Sequence, residues 1–249
     1  MKNTFKTLLT VGMIALIVVS CSDDDGPQII GLTEEEAAEQ VSSVLISDVN
    51  GVTSDVRALS NSAISQSGAG RAAAPACGVL FDTLINYQFD GANVQFDVSL
   101  NYDYGLNCTN NIPDELEFNF GSTSTYEGRM ISRTGTASGM VTAGGLRFND
   151  TSYDVDGSLT SNSSVTQKER NQKTFTGESS VTLTDVMVNK ATKVIESGAA
   201  SVTANGASSD GESYQFTASV EYLGGNVAIV TINEQRFSVD LNTGEVTPL

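Results

Sequence analysis

The chain has 249 residues, 30 acidic against 13 basic side chains, a formal net charge of −17, and neither histidine nor tryptophan. That balance excludes nucleic acid as a partner, because its phosphates must be neutralised by Lys and Arg, and it opposes purely electrostatic docking on anionic lipid. The lack of histidine rules out a Ser-His-Asp or Cys-His site within the chain and any His-ligated zinc, and no cofactor-binding motif is present.

The first stretch runs from Met1 to Asp25. Lys2 and Lys6 precede an apolar run, Leu8 to Val19, which leads into Val18-Val19-Ser20-Cys21 and then Ser22-Asp23-Asp24-Asp25. A basic start, an apolar core of roughly 7–15 residues and a small residue at the cleavage point form the pattern of an export signal. The run is shorter than the about 20 apolar residues that span a bilayer. This stretch resembles a bacterial lipoprotein signal peptide. The resemblance implies a diacylglyceryl group on the Cys21 thiol, cleavage before Cys21 and acylation of the new amino terminus. A single acyl chain binds a membrane only marginally, whereas several on one residue hold it permanently. The membrane is thus an expected partner, through Cys21. The acidic run after Cys21 resembles the surface-export signal of Bacteroidota-type lipoproteins, which implies an outer-membrane protein facing the cell exterior. The competing readings are a conventional secreted protein cleaved near Ser20, and an acidic run that is only a solvated tether.

The composition then divides the chain into a signal (1–20), a tether (21–32), a helical segment (33–66), a linker (67–76) and an antiparallel β domain (77–249). Thr33 is a good N-cap with Glu36 three residues on, the spacing of a capping box. Ala37, Val41, Val44, Leu45 and Val49 then fall on one helical stripe, which Asn50-Gly51 ends. A second amphipathic piece follows, with Val52, Val56, Leu59 and Ala63 on one side. The expected fate of these helices is to cover an edge or mouth of the sheet. Ser67 to Ala76 (SGAGRAAAPA) has little to bury and reads as a linker.

From Val79 the hydrophobic period changes to two. Val94, Phe96, Val98, Leu100, Tyr102 and Tyr104 alternate with polar residues, and Val79, Phe81, Ile85, Tyr87 and Phe89 precede them. The two runs meet at Asp90-Gly91-Ala92-Asn93, a hairpin signal. A turn there places residues opposite one another when their numbers sum to about 185, as those of Cys77 and Cys108 do. With Cys21 acylated, these two form an even pair in an oxidising compartment, and a disulfide is expected. Further alternating runs are centred on Phe118, Val141, Val155, Val181, Val202, Phe216, Ile229 and Val239, with turns at short intervals and no helical period between them. The fold class is therefore all-β with a short N-terminal helical segment: a meander of about ten antiparallel strands, curled into a barrel or half-barrel or folded as a two-layer sandwich. The strands from about Ser122 to Ser180 are rich in Ser, Thr and Gly and read as wet on both faces, or as the lining of an open cavity.

Few residues suggest chemistry. Asp154-Val155-Asp156-Gly157 has part of the carboxylate spacing of a calcium loop but not the full set, so it reads as the polar face of a strand and no metal site is assigned. Lys168, Arg170 and Lys173 form a basic knob at a hairpin tip, a candidate patch for an anionic partner or else a solvated turn. Asp82-Thr83-Leu84 resembles the O-glycosylation signal of Bacteroidota, which would modify Thr83. No catalytic residue is assigned. The expected function is a non-enzymatic, lipid-anchored binding or envelope protein whose ligand is an extracellular protein or glycan. The alternative is a periplasmic carrier or chaperone of apolar molecules with a half-barrel cavity.

Overall fold

The computed structural model describes residues 31–46 and 77–249, apart from 92–93, 111, 148, 169–171 and 193. Cys21 and the signal, most of the tether, the second helical piece, the linker and Arg170 lie outside the described residues, as does the side chain of Thr83.

Among the described residues one helix, α1 (Glu34–Val44), precedes the sheet. The Thr33 hydroxyl accepts a hydrogen bond from the Glu36 N–H, and the Glu36 carboxylate accepts one from the Thr33 N–H at 3.0 Å, completing the capping box. Glu34, Glu35 and Glu36 occupy the first turn, where negative charge suits the helix dipole. Ala37, Val41, Val44 and Leu45 are buried as the stripe requires. Among the described residues no helix is long and apolar enough to cross a membrane.

Eleven strands follow: β1 (Leu80–Asp90), β2 (Gln95–Thr109), β3 (Ile112–Glu127), β4 (Ile131–Gly144), β5 (Ser152–Gln167), β6 (Thr174–Asn189), β7 (Ile195–Ser208), β8 (Ser213–Gly224), β9 (Val227–Ile232), β10 (Gln235–Asp240) and β11 (Val246–Pro248). Each pairs antiparallel with its neighbour in sequence, so the strand order is the chain order. Among the described residues the sheet does not close, and β1 and β11 are its two edges. One contiguous core joins residues of α1 and of nearly every strand, among them Val41, Phe118, Tyr153, Val202, Phe216 and Val239. A smaller cluster of Tyr126, Ile131 and Val165 lies beside Ile46 and Phe96, just past the C-terminal end of α1.

The β1–β2 register keeps a sum of 185 from Leu80↔Gly105 to Asp90↔Gln95. Cys77 and Cys108 form the disulfide, 31 residues apart in sequence with Cα atoms 5.7 Å apart.

Two irregularities set the phase of strands β6 and β9. In β6 the buried positions pass from Val181 and Leu183 to Val186 and Val188. A bulge at Thr184–Asp185 shifts the pairing with both neighbours there, and Asp185 takes a left-handed φ of 50°. An irregularity between Tyr222 and Gly224 likewise sets the phase of β9. Ala228, Val230 and Ile232 face the core, and of the alternate set Val227, Ile229 and Thr231 only Ile229 is buried.

A correction concerns the strands rich in Ser, Thr and Gly. Their inner face is covered, not wet. The register aligns one row across β3 to β8 as Ser124, Gly135, Ser163, Gly177, Gly206 and Tyr214. The next row is Ser122, Ala137, Ser161, Ser179, Ala204 and Phe216. Gln40, Val41, Ser43 and Val44 of α1 lie against the Ser163–Gly177–Ser179–Ala204 part of these rows. The α1 backbone lies nearest β8 to β11, and its Gln40–Val44 side chains reach across to these small residues, so the rows form one wall of the seat of α1.

Candidate functional site

The seat of α1 is the most elaborate inward-facing feature of the described residues. Arg133, on β4, is only 2% exposed, and its Nη2 donates to Ser161 Oγ at 3.1 Å. Ser161 Oγ lies 2.8 Å from Ser179 Oγ, so a hydroxyl relay crosses β5 and β6 beneath the helix. Gln167 Nε2 donates to Glu39. Ser42 Oγ donates to the Gly244 carbonyl at 3.1 Å, joining the helix to the β10–β11 turn. Gln40 Nε2 and Gln167 Oε1 are buried without a hydrogen-bond partner. A residual cavity of about 10 Å³ remains between helix and sheet, about what one water needs. The trough is thus filled by the chain itself.

The basic knob is largely neutralised within the chain. Lys168 Nζ bonds the Glu127 carboxylate and the Gly128 carbonyl. Lys173 Nζ lies 2.9 Å from Asp210 and 3.6 Å from Glu36, so it ties the β7–β8 turn to the start of α1. Hydrogen bonds to Asp210, from the Ser208 hydroxyl first and Lys173 second, lower its pKa to about 2. The Asp210 hydrogen bond raises the Lys173 pKa against desolvation, and the charges of Glu36, Asp210 and Glu212 add to the rise. Lys168 and Lys173 therefore act first as ties within the fold.

A second cluster came from distant parts of the chain. Asp154 and Asp156 project from β5, and the β6 bulge brings Asp185 beside them. One carboxylate oxygen from each lies within 4.8 Å of the others. Asp156 Oδ1 accepts a hydrogen bond from the Asp185 N–H at 2.9 Å. Asp154 Oδ1 is buried and has no hydrogen-bond partner. Desolvation, then the charges of Asp156 and Asp185, raise the Asp154 pKa. Oxygen donors of this kind suit a hard cation, but three carboxylates supply only part of the six to eight ligands that calcium takes. Sequence reasoning found the β5 pair and missed Asp185. Its signal was the skipped beat in the apolar alternation, Val181, Leu183, then Val186 and Val188.

The outer face carries open, polar depressions. One of about 400 Å³ is lined by Asp82, Asp103, Asn119 and neighbours on β1 to β4, with Asn119 Nδ2 donating to Asp103 Oδ2 at 3.0 Å. Another, of about 510 Å³, lies over Thr134, Asn162, Thr176, Glu178 and Asn205 on β4 to β7. Amides, hydroxyls and carboxylates set along a pleated surface can exchange hydrogen bonds with a polar ligand. The backbone of Thr83 lies in β1, opposite Tyr102.

No protein-family model, curated protein or solved structure matches this chain.

Proposed function

We propose that this chain is a lipid-anchored lipoprotein of the outer membrane, displayed at the cell surface, and that its β domain acts by binding rather than by catalysis. The observation that carries the reading is the Cys77–Cys108 disulfide. Such bonds persist in oxidising compartments and are rare where glutathione keeps thiols reduced. It leaves Cys21 as the one remaining cysteine of three, at the position where the Met1–Asp25 stretch resembles a lipoprotein signal. The acidic residues after Cys21 and the net charge of −17 favour solubility outside the cell. Binding is favoured over carriage because a carrier of apolar molecules needs interior room. The trough that would supply it holds α1, with about 10 Å³ to spare. The polar depressions of the outer face suit an extracellular protein or glycan, and Thr83, in β1, would be a modification site.

Labelling cells with radioactive palmitate, in wild type and in Cys21→Ser, tests the anchor, and protease applied to intact cells tests its orientation. Label lost in the variant, with the β domain digested from outside, is the expected result. Label lost with the domain protected would move the protein to the periplasm and restore the carrier reading. Wild-type protein that takes up no label would overturn the anchor.

A further inference from the structure

The two edges of the sheet are built differently. β11 is three residues long and contains Pro248. Short length and proline are usual protections of an edge against a foreign strand. β1 is eleven residues long, keeps unbroken register with β2 and contains no Pro, Lys or Arg. Its Leu80, Leu84 and Phe89 are 68%, 61% and 45% exposed. Just before it, the disulfide ties Cys77 to the end of β2, so this undefended edge is held in place.

The hydrogen-bonding parity of the edge is fixed at its hairpin end. Gly91 N–H donates to the Val94 carbonyl at 3.0 Å, in the 185 register of the strand pair, whereas Gly78, at a left-handed φ of 76°, meets the Leu106 carbonyl one residue out of that register, before β1 begins. In an antiparallel ladder, alternate residues point their N–H and C=O groups toward opposite neighbours. The odd-numbered residues of β1 therefore pair with β2. The even-numbered ones, from Leu80 to Asp90, turn their N–H and C=O groups outward.

We propose that β1 is a self-association edge, where two copies of this chain pair antiparallel, β1 to β1, about a twofold axis at Ile85. Even-numbered residues then meet even-numbered residues, as the outward groups require, and all eleven residues of β1 are paired. At roughly 3.4 Å per residue the seam is about 35 Å long. Charge selects this register. The only charged residues on β1 are Asp82 and Asp90. With the axis at Ile85, Asp82 faces Gln88, Leu84 faces Asn86 and Leu80 faces Asp90. Moving the axis to Asn86 sets Asp82 opposite Asp90, and like charges directly opposite are destabilising. Moving it to Leu84 leaves Phe89 and Asp90 beyond the end of the opposing strand. The interface is isologous and closed, so it ends at two copies and does not propagate a fibre. The other edge, β11, is too short to continue it.

The experiment uses the full-length protein in the membranes of the cells that make it. In this register residue 85 meets its own symmetry mate, in a pair whose Cα atoms are about 4.5 Å apart, within disulfide reach. Under mild oxidation, Ile85→Cys is expected to give a band at twice the mass of the single chain on non-reducing gels. Leu80→Cys, which faces residue 90, is expected to stay single. Adding Leu84→Lys or Asn86→Pro to Ile85→Cys should abolish the doubled band, the first by placing charge on the seam and the second by removing an outward N–H. Met140→Lys, at a 49% exposed position on β4, should leave it intact. A folded Ile85→Cys chain that stays single overturns the proposal, as does equal cross-linking of Leu80→Cys or a band at another mass, which would make the occupant a different protein. If Ile85→Cys fails to fold, sedimentation of the detergent-purified wild type decides. A concentration-dependent dimer that Leu84→Lys removes supports the proposal, and a monomer at every concentration overturns it.

Discussion

Asp154 shows what a single residue can report. Burial, and then the neighbouring Asp156 and Asp185 charges, raise its pKa above the ordinary carboxylate value. A raised acid binds its proton more tightly when folded, so its stabilising contribution is full below the ordinary value and is lost as pH rises through the raised one. Asp154→Asn carries no charge at any pH. It should leave the melting temperature nearly unchanged in acid and raise it at neutral pH, with the difference opening across the carboxylate range. Thermal melts of both proteins at a series of pH values check this, and a difference that closes toward neutrality would refute it. At this scale the sequence was only partly legible. The spacing of Asp154 and Asp156 was visible, but the third carboxylate depends on a bulge that breaks the β6 alternation. Tyr222 ends the alternating run centred on Phe216 and is buried, yet nothing in its surroundings in the sequence tells that its hydroxyl lacks a partner and that burial pushes the phenol far above its usual range.

At the scale of elements, the capping box and the β1–β2 hairpin were legible because both are local: a few residues at fixed offsets determine each. The seat of α1 was not, since its rows of Ser, Gly and Ala gain meaning only from a helix more than a hundred residues away in sequence. Gly177 tests the close packing of β6 against β7 and β8. A Cβ there would fall 2.1 Å from the Asn205 carbonyl oxygen and 2.5 Å from the Tyr214 hydroxyl, whereas one on Gly121 meets nothing within 4 Å. Gly177→Ala should therefore cost about 1–3 kcal/mol of unfolding free energy, and Gly121→Ala should stay within about 0.5 kcal/mol of wild type. Urea denaturation of both variants separates the two, and equal effects would contradict the packing described here. The disulfide makes a second prediction. Replacing Cys77 and Cys108 together by serine should lower stability by roughly 3–4 kcal/mol on loop-entropy grounds. Among the described residues β2 is the one strand of its own chain that β1 pairs with, so amide exchange should quicken there first. Unchanged protection of β1 would mean that the bond contributes little to holding the edge.

For the whole molecule, charge and connectivity matter most. A chain with a net charge of −17 repels itself when compact, and salt screens that repulsion over a Debye length of about 8 Å at physiological ionic strength. Sodium chloride should therefore raise the thermal midpoint, and a midpoint that falls with salt would show that local ion pairs such as Lys173–Asp210 outweigh the net repulsion. The meander also governs how the chain can fold. Every strand finds its partner in the adjacent stretch of sequence, and contacts close in sequence form with little loop entropy to overcome. Hairpins can zip one after another as the chain is delivered from its N-terminus, without waiting for a distant segment. α1 is the exception, because its ties to Gln167 and Gly244 span 128 and 202 residues. The helix is delivered first and docks last. Until β8 to β11 are complete its apolar stripe has no seat, and that interval is when the chain is most open to a chaperone or a protease.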